Sequence, residues 1–436
     1  MNSHCARRST ACRLTHRASS LALLGFAILV TACDVQKILE EEAPSRVDAE
    51  TLNNPAFAQL LVDGAAGDLE CALTQYIVAA GLVGDELLNA QLSQAGWDYD
   101  RRTIFPASVP YGTAQCTSTQ VPGLYTPLSV ARFQADNVLR KLQSWTDAQV
   151  PNRTSLIAQA ATYAGFSLEF LGESMCSAAI DLGPELTPAQ LFTQAESRFT
   201  TAITAAQTAN NTTMLNAALI GRARARLNLN KLPEARADAA LVPNNFVLNA
   251  TYSGAVVRRE NLVWSQMYRG LFSTVDSSYR SVTWAGLPDP RVNVVDAGVN
   301  GHDPNTRIFR QTKYPLINSA IPIARSAEAQ LIVAEADLAA GNTTSPVTII
   351  NQLHTNAGIP PYAGGTAAEI KAQIIEERRR EFFLEGHRLG DIIRYDLTVR
   401  PLAGTAFSRG GVYGPGTGAQ VCFPLPDVER NNNPSI

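Results

Sequence analysis

One stretch near the C-terminus restricts the fold more than any other: residues 374–395, IIEERRREFFLEGHRLGDIIRY. Seven of the ten residues from Glu376 to Glu385 are charged, yet Ile374, Ile375, Phe382 and Phe383 bracket them at helical spacing, which predicts a helix packed at both ends. Glu376 and Arg380 stand at (i, i+4), and Glu377–Arg380 and Arg378–Glu381 at (i, i+3). On a solvated face such pairs contribute only about 0.2–0.5 kcal/mol each. Three consecutive arginines sweep about 200° around a helix, so at least one is expected to turn inward, where it needs a carboxylate. Gly386 either stops the helix or admits another backbone, and Leu389, Ile392 and Ile393 begin a second short apolar stretch. His387 has acids nearby but no second His or Cys at ligand spacing, so it reads as structural and no metal site is expected.

The N-terminus reads as a targeting segment. Arg7, Arg8, Arg13 and Arg17 precede an apolar run over residues 21–30, too short to span a bilayer, which ends in Val30-Thr31-Ala32-Cys33. Small residues before a Cys at this place form a lipobox, so Cys33 is the expected acylated residue and new N-terminus, with residues 1–32 the signal peptide. Removing the four arginines leaves 32 basic against 39 acidic residues, net −7, which argues against a nucleic-acid partner. A membrane would be reached through lipid rather than a spanning segment. Cys71, Cys116, Cys176 and Cys422 then remain. An exported chain can join them as two disulfides in any of three pairings, and the absence of CxxC makes zinc unexpected.

Residues 33–50 form a polar tether, and residues 51–436 read as one mainly helical domain. Amphipathic periodicity predicts helices over 128–145, 155–180, 188–209, 217–229 and 234–241. Paired with turns and a closing proline, these are tetratricopeptide-like hairpins. The helical core is placed at about 128–243 and 321–395, with a helix resuming at Ile321 that carries Arg325 and Glu328 on one face. Between them, about 244–320 is a loop-rich excursion bearing Tyr252, Trp264, Tyr268, Phe272, Tyr279 and Trp284. Trp97 and Tyr99 sit in a polar Gly-led loop, either as exposed stacking platforms or as caps on a local core. No G-x-S-x-G, H-E-x-x-H, phosphate loop or dinucleotide fingerprint occurs, so neither an enzyme nor a cofactor is expected.

Residues 377–388, with Asp391 and Arg394 after them, resemble the signature near the end of SusD/RagB-like outer-membrane lipoproteins. A second likeness is Arg325-x-x-Glu328 followed by a hydrophobic run and Ala334-Glu335-Ala336, and a third is the closing Pro424-x-Pro426 with Asn433-Pro434. The resemblance implies a SusD-like α-helical fold with an irregular ligand-binding region. It further implies a lipid-anchored protein at the outer-membrane surface that captures a glycan and delivers it to a TonB-dependent SusC-like transporter. Asp34, directly after Cys33, is a residue that retains some bacterial lipoproteins at the inner membrane instead. Trp97, Tyr99, Arg101, Tyr279 and Trp284 are the candidate ligand contacts, since aromatic rings stack on sugar faces. Arg325, Glu328, Glu377, Arg378, Arg379 and Glu381 are expected to form a structural charge network inside the bundle. Alternatives are a tetratricopeptide-type scaffold that binds proteins only, a peptide-binding RagB-like member, and a hydrolase.

Overall fold

The computed structural model describes residues 53–436; Cys33 and the signal peptide lie outside the described residues. Helix α1 (Ala58–Val83) is buried at every position from Cys71 to Val83, as a helix apolar on all sides must be. Around it pack α4 (Tyr125–Ser144) and α5 (Arg153–Ser174), after two short helices, α2 (Gln94–Asp100) and α3 (Val109–Thr113). The array continues through α6 (Pro188–Thr208), α7 (Thr212–Asn228) and α8 (Leu232–Ala239), each packed on its predecessor. After the excursion, α9 (Ser326–Ala339) packs on α8, followed by α10 (Thr344–Ala357), α11 (Ala367–Glu381) and α12 (Arg388–Arg394). The fold is mainly α with tetratricopeptide-like hairpins.

Local chemistry sets these boundaries. Thr187 and Gln190 close a capping box at the start of α6 with Pro188 in its first turn, and Thr366 and Glu369 do the same for α11. Small residues let the helices cross closely: a Cβ at Gly165 or Gly221 would stand 2.6 or 2.2 Å from the Phe199 ring, which lies between α5 and α7. Buried side chains from Ala58 to Leu425 belong to one apolar cluster.

Several elements differ from the sequence expectation. Ile321–Arg325 is a strand, antiparallel to Val247–Ala250, and the helix begins only at Ser326. Pro322 has no N–H for a helix, and the β-branched Ile321 and Ile323 turn the same way into the core. The segment around Trp97 is helical, ended by Arg102 at φ +56°. The signature helix stops at Glu381 rather than running on to Glu385; Leu384 and Gly386 take φ +55° and +87° in the turn that follows. Gly386 also admits a neighbour, since its Cβ would lie 2.7 Å from Tyr76 Cε1, and the Tyr76 hydroxyl donates to its carbonyl at 2.7 Å. Of the three disulfide pairings, the chain adopts Cys71–Cys116 and Cys176–Cys422.

Candidate functional site

The charges of the signature do not pair as their spacing suggests. Glu376 does meet Arg380, at 2.7 Å, and also Arg379, at 3.0 Å. Glu377, however, accepts from Arg291 (2.6 Å) and His354 (2.7 Å), and Arg378 binds Asp391 of α12 through Nε at 2.8–2.9 Å. A helix face turned into the core takes the partner that tertiary packing offers. Arg325 joins the network as expected, meeting Glu381 at 2.7 Å and Glu385 at 2.8 Å. Glu328 does not join it: it is buried against Arg224, with bonds of 2.5 and 2.7 Å. Burial pushes Glu381 and Glu377 upward, but their basic partners outweigh it and hold both below the ordinary carboxylate range. A cleft of about 420 Å³ is lined by Arg291, Lys313, Arg325, Glu381 and Glu385, whose charges already satisfy one another. It is a structural seam.

Two predicted stacking residues are core residues instead. Tyr99 is buried, its hydroxyl donating to the Pro122 carbonyl at 2.7 Å and its ring edge-on to Phe423. Tyr279 is buried against Phe383, ring centroids 4.9 Å apart, with the Arg379 guanidinium 4.2 Å above it. A tyrosine whose hydroxyl finds an acceptor indoors loses nothing by leaving the surface, and no ring face is left for a ligand. Trp284 is half-buried, its Nε1 donating to the Pro360 carbonyl and its ring edge-on to His354. Arg101 pairs with Asp98 at 2.6 Å and reaches the Gly410 carbonyl at 3.0 Å.

Trp97 is half-buried at the rim, oriented by a hydrogen bond from Nε1 to the Gln91 carbonyl at 2.8 Å. The Arg409 guanidinium lies 5.9 Å from its ring centroid and binds Asp303, with Nε 3.1 Å from Oδ2. Beside them the exposed His302 ring packs on Phe272, centroids 4.9 Å apart and tilted by 30°. Backbone contacts fix this constellation: the Asp303 N–H donates to Ala90 and the Ala90 N–H to Phe272. Gly301 is required there, because a Cβ would stand 2.6 Å from the Ala90 carbonyl oxygen. Chain segments about 180 and 110 residues apart thus meet in a ring of indole, imidazole, carboxylate and guanidinium groups. Such groups can stack on the apolar face of a sugar and bond its hydroxyls. In the sequence, residues 300–304 fall only within the loop-rich excursion, and nothing there groups Phe272, His302, Asp303 and Arg409. No periodicity marks them. A cleft of about 700 Å³ between α7, α8, α9 and α11 is lined by a single aromatic, Tyr395, already bonded to Glu335 at 2.6 Å. Among the described residues no cluster of His, Cys, Asp and Glu could hold a metal, and no helix is long and apolar enough to cross a membrane.

Residues 309–435, which contain Arg325 and the whole signature, match the model of the SusD family. Similar solved structures include a SusD-like carbohydrate binding protein from Bacteroides vulgatus, with 16% identity over 88% of this chain and 97% of that one at a TM-score of 0.64. A SusD superfamily protein from Parabacteroides distasonis is 13% identical over 89% and 98%, TM-score 0.64. A laminarin binding SusD-like protein is 16% identical over 88% and 100%, TM-score 0.62. No curated protein matches the sequence. The described residues thus share the fold of these SusD-like structures, and the C-terminal third of the chain matches the SusD family in sequence.

Proposed function

We propose that this chain is a glycan-binding protein, anchored by lipid on Cys33 at the outer-membrane surface, that captures an oligosaccharide at the Trp97 rim and passes it to a TonB-dependent SusC-like transporter. The observation that carries the binding part is the half-buried indole of Trp97 at a rim shared with Asp303 and His302, in a chain whose C-terminal third matches the SusD family model. The laminarin-binding structural neighbour makes laminarin the first probe to use. The role is capture rather than turnover, and no chemical step is assigned to any residue.

Isothermal titration of the purified chain against laminarin and a panel of neutral and acidic glycans tests it. Binding should be lost at least about tenfold in Trp97→Ala, as expected when one stacking ring worth roughly 1.5 kcal/mol is removed, and only weakly affected in Trp264→Ala. Binding of peptides alone would turn the reading to a peptide-capturing member. Anchor and partner are tested apart from the ligand. Cys33→Ser should release the protein from the membrane fraction, and affinity capture of the native lipoprotein should recover a large β-barrel transporter. Recovery of soluble proteins alone would favour the scaffold.

A further inference from the structure

Residues 402–413 form a loop held in an unusual way. Leu402 and Val412 are exposed, and Phe407, though buried, belongs to none of the apolar clusters of the core. Phe407 instead packs on the Tyr413 ring at 5.3 Å and under the guanidinium groups of Arg101 and Arg409, at 5.9 and 5.7 Å. The loop bonds largely to itself: the N–H groups of Gly404, Tyr413 and Phe407 donate to the carbonyls of Tyr413, Thr405 and Gly411 at 2.8, 2.9 and 3.0 Å. Its outward ties include the Arg101 bond to the Gly410 carbonyl and the Arg409 bonds to Asp303, Thr306 and the Asn89 carbonyl. Gly404, Gly410 and Gly411 take φ of +80°, +97° and +79°, so the backbone near both ends of the loop is free of side-chain restriction. A segment that buries so little apolar surface opens at a small fraction of the free energy of global unfolding.

What the loop covers matters more than how it is held. Arg409 projects from it over the Trp97 ring and occupies the Asp303 carboxylate. These are the stacking face and the hydrogen-bond acceptor that a sugar at this rim would use.

We propose that the 402–413 loop is a strap with Arg409 as its latch: it covers Trp97 and Asp303 in the free protein and lifts as a unit when a glycan arrives. The sugar ring then replaces the guanidinium over the indole, and its hydroxyls replace it at Asp303. This inference rests on the glycan reading of the rim. A site closed for part of the time binds with an apparent affinity reduced by its open fraction, so loosening the latch must tighten binding.

The decisive measurements need no ligand. Acrylamide quenching of Arg409→Ala and of the unsubstituted chain, each compared with its own Trp97→Phe partner, isolates the Trp97 signal. The quenching constant of Trp97 is expected to rise at least twofold when the latch is removed. An unchanged constant overturns the strap. Hydrogen exchange of the unsubstituted protein checks this without any variant. The amides of Gly404, Phe407 and Tyr413 should exchange at least 100-fold faster than those of α11, and equal protection overturns the proposal. With laminarin as the probe, Arg409→Ala should bind several-fold more tightly, and equal or weaker binding overturns the latch. If laminarin fails to bind the unsubstituted chain, the glycan reading fails with that probe, while quenching and exchange still decide whether the strap exists.

Discussion

In the interior, Arg224, Arg325 and Arg378 each meet a carboxylate carried by another element, whereas at the rim Arg101 and Arg102 hold a loop through carbonyl oxygens and ring faces, and Arg409 ties it to one carboxylate, Asp303. The Arg224–Glu328 and Arg378–Asp391 pairs are almost completely desolvated; Arg224 and Glu328 expose 3% and 1% of their side chains. Arg102 is buried as well, but its donors go to the carbonyls of Pro415 and Pro401, with Tyr413 5.0 Å from the guanidinium carbon. A buried ion pair fails all at once when one partner is removed, because the other is left charged in the dark. A carbonyl clamp gives way locally. The same residue type therefore locks the bundle in one region and leaves a loop free to move in the other.

The contrast is broken most directly at Arg224. Removing it in Arg224→Ala leaves Glu328 unpaired beside Glu169 and Glu173, whose carboxyls burial already drives upward. The expected loss is about 3–5 kcal/mol, read as a fall in the urea midpoint. Arg409→Ala should cost less than about 1 kcal/mol, because its loop peels away and Asp303 becomes hydrated. Equal losses would abolish the distinction. Next in size is Gly386→Ala, which puts a methyl group against Tyr76 at φ +87° and should cost about 1–3 kcal/mol by the same assay.

Stability against pH sharpens the contrast further. Burial raises Glu86 to about 7, against the one N–H of Leu384 that favours its ionised form, and raises Glu173 to about 7 as well. A folded-state value above the unfolded value near 4.3 means that the native protein holds protons the unfolded chain has released. Their contribution to stability is therefore present below about pH 4.3 and is lost as pH rises toward 7. Glu377 and Glu381 act with the opposite sign and weaken the fold only in acid. The urea midpoint should thus be lower at pH 8 than at pH 5.5. Glu86→Gln keeps an oxygen for the Leu384 N–H and should recover part of that fall, on the order of 1–3 kcal/mol, with no gain at pH 4. A flat profile in both proteins would show that these carboxyls are solvated.

How far the molecule was legible in its sequence differs between the two regions for the same physical reason. Helical periodicity is local, and it placed the hairpins from α4 to α8 to within a few residues. The largest overrun is at α5, expected to reach Ile180 but ending at Ser174. There Met175 leaves the helix, and the Cys176 N–H meets the Phe423 carbonyl beside the disulfide to Cys422, which no local pattern announces. The signature named the right charged residues and often the wrong partners, since spacing along one helix is blind to Asp391, Arg291 and Arg224. At the rim, polar surroundings suited half-exposed Trp97 and Trp284, while Tyr99 and Tyr279 were misplaced because their hydroxyls bond inside the protein. Arg409 was unreadable, lying in a glycine-rich stretch whose course depends on Asp303, more than a hundred residues away.

The smallest predicted effect is the most discriminating. Arg101 and Asp98 form an (i, i+3) pair with 16% and 17% of their side chains exposed, a geometry whose contribution to global stability is below about 1 kcal/mol. Arg101→Ala should barely move the urea midpoint. Yet Arg101 also donates to the Gly410 carbonyl and sits over Phe407, so its loss removes one of the few ties that the 402–413 loop has to the body. Amide exchange at Phe407 and Tyr413 should accelerate severalfold while exchange in α11 and α5 stays unchanged. If instead the midpoint fell and exchange rose everywhere, the loop would be part of the same cooperative unit as the bundle. The rim arginines would then be doing the work assigned to the interior ones.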